Sequence, residues 1–158
     1  MATKTKIKII DDDRLRSEID ELHEQTDQLT LSKWAIQCAK HVLTYLDSED
    51  IVCSSIIQGL YINELWQEGK ASVHEVRKAG FKLHDLARQC ISDISKNAIR
   101  TAGHAVGVGH MREHAMVCSD YAIKTIQIAF PNQLDKITQE RQWQLSTLKR
   151  FLLSDTDK

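Results

Sequence analysis

Apolar side chains recur every three or four residues through most of this chain, the spacing that lines one side of an α-helix. Asp11 to Asp13 offer an N-cap and favourable charge for a first helix reaching about Glu24, with Leu15, Ile19 and Leu22 inward. A stronger stripe follows from Leu31 to Leu46, where Trp34, Cys38, His41 and Tyr45 form one row. Leu31, Ala35, Val42 and Leu46 thicken that face. The polar run Asp47 to Asp50 reads as a turn that caps a third helix. Val52, Ile56 and Leu60, and beside them Ile57, Tyr61 and Leu65, recur there until Gly69. Ser72-Val73-His74-Glu75 is a capping box that opens a fourth helix with Val76, Gly80, Leu83, Ala87 and Cys90 inward.

Ser92 to Lys96 interrupts the pattern. Asn97 to Ala129 then reads as one long fifth helix stopped by Pro131, and Asn132 offers a cap for a last helix carrying Leu134, Ile137, Arg141, Leu145, Leu148 and Leu152 on one face. The fifth segment is apolar on two sides. One row is His104, Val108, Met111, Ala115, Cys118 and Ala122; the other is Ile99, Gly103, Val106, His110, His114, Val117 and Tyr121. A helix with so narrow a wet strip belongs in the middle of a bundle. Gly103, Gly107 and Gly109 each cost about 1 kcal/mol relative to Ala in a helix interior, about 3 kcal/mol in all. Close approach by neighbouring helices is the expected compensation. The expectation is an all-α, single-domain bundle of five to six helices around a central Gly/Ala/His-rich helix. Residues 11–153 form the domain, between a flexible basic leader of residues 1–10 and a flexible end at residues 154–158.

Composition agrees with a packed globular domain: 42% of residues are hydrophobic and 27% charged, which points to neither disorder nor membrane residence. No stretch approaches the roughly twenty apolar residues of a membrane span. Met1 to Ile10 lacks the apolar run and cleavage site of a secretory signal, so a cytoplasmic location is expected. Cys38, Cys53, Cys90 and Cys118 stand far apart among apolar residues and read as reduced core thiols. The net charge of -1 hides a division: between Asp11 and Asp50 eleven acidic residues face Arg14, Arg16, Lys33 and Lys40, a net of -7. Such a segment is either a solvated face or a surface for a basic partner, with Asp11, Asp12, Asp13, Glu18, Asp20 and Glu21 as its candidate residues.

Histidine carries the candidate chemistry. His110 and His114 stand at i, i+4, a spacing at which two imidazoles share a zinc ion, but the run His110-Met111-Arg112-Glu113-His114 is not the H-E-x-x-H of a zincin. Cys38, His41, His84 and His104 also lie on apolar stripes, so a composite site with His110 and His114 requires only that their helices converge. Buried, hydrogen-bonded histidines are the commoner outcome, so no metal or other cofactor is expected. No nucleophile elbow, phosphate-cradling loop or inward pair of carboxylates is present, and no catalytic residue is assigned. A pI of about 6.6 lacks the footprint of a nucleic-acid binder.

Four segments together resemble a known family. They are Trp34-Ala35-Ile36-Gln37-Cys38-Ala39-Lys40-His41-Val42-Leu43; Arg100-Thr101-Ala102-Gly103-His104-Ala105-Val106 with His110-Met111 and His114-Ala115; Tyr121-Ala122-Ile123-Lys124; and Glu140-Arg141-Gln142-Trp143-Gln144-Leu145. In this order they look like the Imm-5-like immunity proteins, small helical proteins of bacteria, with Met1 to Gln28 outside the likeness. The resemblance implies a non-catalytic module that binds a cognate toxin and neutralises it, and leaves self-association open. It also marks Cys38, His41, His84, His104, His110, His114, Arg141 and Trp143 as a polar core. A metal- or small-ligand-binding helical protein built on the inward histidines, with metalloenzyme activity as its extreme, is the alternative reading.

Overall fold

The computed structural model describes residues 2–47 and 53–156, which form seven α-helices, with no strand among them. They are α1 (Asp13–Glu24), α2 (Gln28–Val42) with a following 3-10 turn (Leu43–Tyr45), α3 (Cys53–Gln67), α4 (Val73–Gln89), α5 (Asp93–Gly107), α6 (His114–Ala129) and α7 (Leu134–Thr156). The all-helical class is as expected, with more helices than the five to six anticipated. The expected cap at Asp47 to Asp50 and the first core residue of α3, Val52, fall largely on residues 48–52, outside those described, as does the side chain of Cys53.

Local chemistry sets most boundaries. Asp12 caps α1 by accepting from the Leu15 N–H, Asp27 caps α2 by accepting from Thr30, and Ser92 caps α5 by accepting from Ser95. The capping box at Ser72 and Glu75 is complete, with both reciprocal bonds formed. Gly69, at φ 74°, ends α3 in a Schellman motif: its N–H donates to the Trp66 carbonyl and that of Lys70 to the Leu65 carbonyl. Asn132 does not begin the last helix but takes the left-handed turn before it, at φ 61°.

The long fifth helix is in fact two. Residues 108–113 turn the chain back, so that α5 and α6 pack against each other as an antiparallel hairpin. Gly107 and Gly109 weaken the helix at this point, and tighter bonds from Gly109 to the Val106 carbonyl and from His110 to the Gly107 carbonyl replace the regular ladder. The turn is fastened to the α1–α2 connection. Arg112 Nη2 donates to the carbonyls of His23 (2.7 Å) and Thr26 (2.8 Å), while Gln28 Nε2 donates to the Val108 carbonyl (2.7 Å). Hydrophobic periodicity could not show this, because each half of the hairpin keeps the helical spacing.

α5 occupies the centre, touching α2, α3, α4 and α6. Trp34, Leu83, Ile99, Ala102, Ala105, Val106 and Leu148 are all fully buried in the main core. A smaller cluster of Val42, Ala122, Ile123, Ile126 and Ile137 receives Ile9 from the N-terminal segment. Trp34 also donates its indole N–H to the Gln144 carbonyl at 2.9 Å, tying α2 to α7. Trp66 is half-buried, packed over Gly109 and the core. Cys38 and Cys118 are buried, Cys90 is half-buried with its thiol directed to the Leu86 carbonyl, and burial pushes the Cys38 and Cys118 thiols up, so both stay protonated.

The segment ahead of α1 is tied along the body by a buried ionic network. Arg141, on α7 and wholly buried, uses all five of its guanidinium donors. Nε and Nη2 grip both oxygens of Asp11 (2.8 and 2.7 Å), Nη2 also reaches Asp120 on α6 (2.7 Å), and Nη1 reaches Ser119 Oγ and Gln144 Oε1. Arg16 grips Asp120 from the other side through two bonds of 2.9 Å, and also donates to the Thr3 carbonyl and hydroxyl. Thr3 in turn donates both its N–H and its hydroxyl to Asp20. The guanidinium charges of Arg141 and Arg16 are matched by the carboxylates of Asp11 and Asp120, which is the condition for burying that set, while the third carboxylate, Asp20, is held by the Thr3 N–H and hydroxyl.

Removing one member should expose the cost of that burial. Arg141→Met is expected to lower stability by about 3–5 kcal/mol, because Asp11 and Asp120 lose their shared cation. Asp11→Asn should also make residues 2–10 more susceptible to limited proteolysis than in the parent. Urea denaturation and timed protease digestion would check both effects.

Candidate functional site

Four of the candidate histidines converge. His84 on α4, His104 near the end of α5, His110 in the turn and His114 opening α6 form a chain of rings. The centroid separations are 4.5 Å (84 to 104), 5.2 Å (104 to 114) and 5.8 Å (110 to 114). Tyr121, two turns along α6, stacks on the remaining side of His104 at 5.0 Å and 15°. Nδ1 of His104 lies 2.9 Å from Nδ1 of His114, so one ring donates an N–H and the other accepts. A second proton on that axis would set two N–H groups head to head. The pair therefore holds together only while at least one ring is neutral.

Burial and crowding keep it so. His104 is pushed down to about 2, first by burial and then by His84, His114, Lys6 and Arg100. His84 is lowered to about 4 by burial and then by His114, Arg100 and Arg88, and His114 is lowered by burial, His110 and Lys6. His23, at the end of α1, is lowered as well, by burial and by Arg112; neither ring nitrogen has a hydrogen-bond partner among the described residues, although Nδ1 lies 3.8 Å from the Asp20 carboxylate.

The central glycines divide between two tasks. A Cβ on Gly103 would lie 2.7–3.0 Å from three atoms of the His84 ring, and one on Gly107 would meet the His114 ring at 3.1 Å. These two positions are hollowed out for imidazoles. Gly80 serves the contact anticipated from the sequence: a Cβ there would sit 3.2 Å from the Gly103 carbonyl, so α4 and α5 meet backbone to backbone. What remains between Phe81, His84, His110, His114 and these glycines is a cavity of about 20 Å³, room for one water molecule. Among the described residues no three His, Cys, Asp or Glu side chains are placed to hold a metal ion.

The other candidates lie elsewhere. His41 stacks flat on Trp143, 3.6 Å between centroids and 8° between planes, and bonds the Glu140 carboxylate at 2.7 Å. Burial raises the pKa of Glu140 while His41 and then Arg141 lower it, and the net shift is upward. Glu140 stands in the fourth family segment but not among the candidate site residues, although its spacing of three from Trp143 on a helix is a usable signal. Cys38 and Arg141 belong to the core and the ionic network. The acidic surface also shrinks: Asp11 and Asp20 are buried and bonded internally, and Asp12 is spent on capping α1 and accepting from Thr138. Asp13 and Glu21 remain exposed, with Glu18 beside them paired to Arg14.

Gly103→Ala should be destabilising in the parent and much less so in a His84→Ala background. A coupling of about 1 kcal/mol or more in the double-mutant cycle would show that the ring and the missing Cβ compete for one space. The imidazoles also fix a pH response. Their folded pKa values lie below the ordinary 6.5, so the unfolded chain binds more protons below that pH, and stability is complete above about 6.5 and declines as pH falls toward 4. Glu140, shifted upward, opposes this decline in part. Thermal midpoints at pH 7 and pH 5 should therefore differ, the lower at pH 5, and His84→Gln should narrow the gap.

Residues 21–151 match the model of a protein family described as Imm-5 like putative immunity protein. No curated protein and no solved structure matches the chain.

Proposed function

Because this chain belongs to the Imm-5 like immunity protein family, we propose that it is a non-catalytic partner that binds one cognate toxin and blocks it in the cytoplasm of the bacterium that makes both. The family match over residues 21–151 carries this reading. The physical demands of the role are modest. A tight antidote needs a surface that stays rigid on binding, because ordering a mobile one consumes binding free energy. The interlocked α4, α5 and α6, with imidazoles seated in glycine hollows, supply that rigidity. The tied N-terminal segment supplies it for the flank of α1.

The outer side of α1 is the face proposed to meet the toxin. With Asp11, Asp12 and Asp20 committed inside, the acidic groups that steer and orient a basic partner are Asp13, Glu18 and Glu21. Inhibition follows by occlusion, and no bond need be made or broken.

The test begins with co-purification of the chain and the product of the neighbouring gene. The triple variant Asp13→Lys, Glu18→Lys, Glu21→Lys should keep its helical circular dichroism while its association with that protein slows at least tenfold at low salt. Unchanged association kinetics would place the interface on another face, and absence of any complex with a toxin would remove the reading.

A further inference from the structure

A groove on the face formed by the N-terminal segment, the start of α5 and the middle of α6 gathers positive charge. It has a volume of about 480 Å³, and Lys8, Lys96, Arg100 and Lys124 line it, with Tyr121 between them and Asp93 as its only carboxylate. None of the four cations forms an ion pair among the described residues, and Lys124 makes only a long bond, 3.4 Å, to the Lys8 carbonyl. Lys96, Arg100 and Lys124 are half-buried, so their charge is held near low-dielectric walls and is less fully offset by water. The field reaches inward: Arg100 is among the groups that hold the His84 and His104 rings neutral.

Elsewhere in this chain buried charge is balanced closely, as in the network around Arg141. Four cations against one acid in so small a volume are therefore conspicuous. Like charges brought together this way repel, and an anion of matching charge density would relieve them. Phosphate groups supply that density best, since a terminal phosphate carries about -1.5 to -2 with three acceptor oxygens and each further phosphate of the chain adds about one charge beside it. Arg100 offers a planar fork suited to phosphate oxygens, and the lysines serve as adjustable point charges. Carboxylates on a peptide bring one charge per residue and would satisfy the groove only over a longer span.

We propose that the groove of Lys8, Lys96, Arg100 and Lys124 binds a compact polyphosphate group, as carried by a nucleoside di- or triphosphate. None of the acids of α1 lines the groove, and binding there needs no toxin, so it can be tested on the chain alone.

Tripolyphosphate is the probe, titrated calorimetrically into the full chain at about 50 mM and 150 mM salt. Saturable one-to-one binding is expected, weaker at the higher salt. Arg100→Gln with Lys124→Gln should weaken it at least tenfold, while Lys149→Gln with Arg150→Gln, which removes the same charge from the exposed side of α7, should leave it within twofold. Titrations with ATP and with a short single-stranded oligonucleotide test the source: tighter binding of ATP supports the nucleotide, and tighter binding of the oligonucleotide would overturn it in favour of a nucleic-acid backbone. No heat of binding, equal weakening by both double variants, or equal affinity for a hexaglutamate peptide would overturn the assignment.

Discussion

Arg141 is the joint on which the architecture closes. A guanidinium removed from water has a large desolvation cost, and the fold meets it by filling every donor position, with two carboxylates, a hydroxyl and a side-chain amide. The partners come from three places: α6 provides Ser119 and Asp120, α7 itself provides Gln144, and the segment ahead of α1 provides Asp11. Arg16 then links Asp120 to Thr3, and Thr3 to Asp20. Packing alone would hold the helices together, but an apolar interface permits sliding. This network accepts one arrangement of α1, α6, α7 and the N-terminal segment.

The histidine chain solves a different problem. Four imidazoles and a phenol are brought within ring contact of one another, and glycines at 103 and 107 clear the space they need. Helical propensity is given up at those glycines, and the gain is a densely filled junction of three helices. The arrangement depends on the rings staying uncharged, which burial and the nearby cations enforce. The glycines, the imidazoles and the local charge form one device.

Much of this was legible in advance. The caps at Ser72 and Asp12, the inward row of α4, that of α2 except for the exposed His41, and the family resemblance all rest on short-range signals that a linear reading retains. The reversal between α5 and α6 was not legible, because residues 108–113 contain no proline and each arm keeps the helical spacing. Gly107 and Gly109 were noted, yet their effect depends on Arg112 and Gln28 anchoring the turn from outside it. The fate of the acidic segment was hidden for the same reason. Asp11 and Asp13 look alike in sequence, and only Arg141, 130 residues away from Asp11, distinguishes a buried counter-ion from a solvated charge.

That separation in sequence has a bearing on how the chain reaches its final form. The α4–α5–α6 contacts join neighbours along the chain and can form early, whereas the bonds from Asp11 to Arg141 and from Arg16 to Asp120 close loops of 130 and 104 residues. During synthesis the ionic joint cannot be completed until α7 has left the ribosome. Until then Asp11, Arg16 and Asp20 stay in water, and the desolvation cost of their burial arises only when Arg141 and Asp120 are in place to offset it.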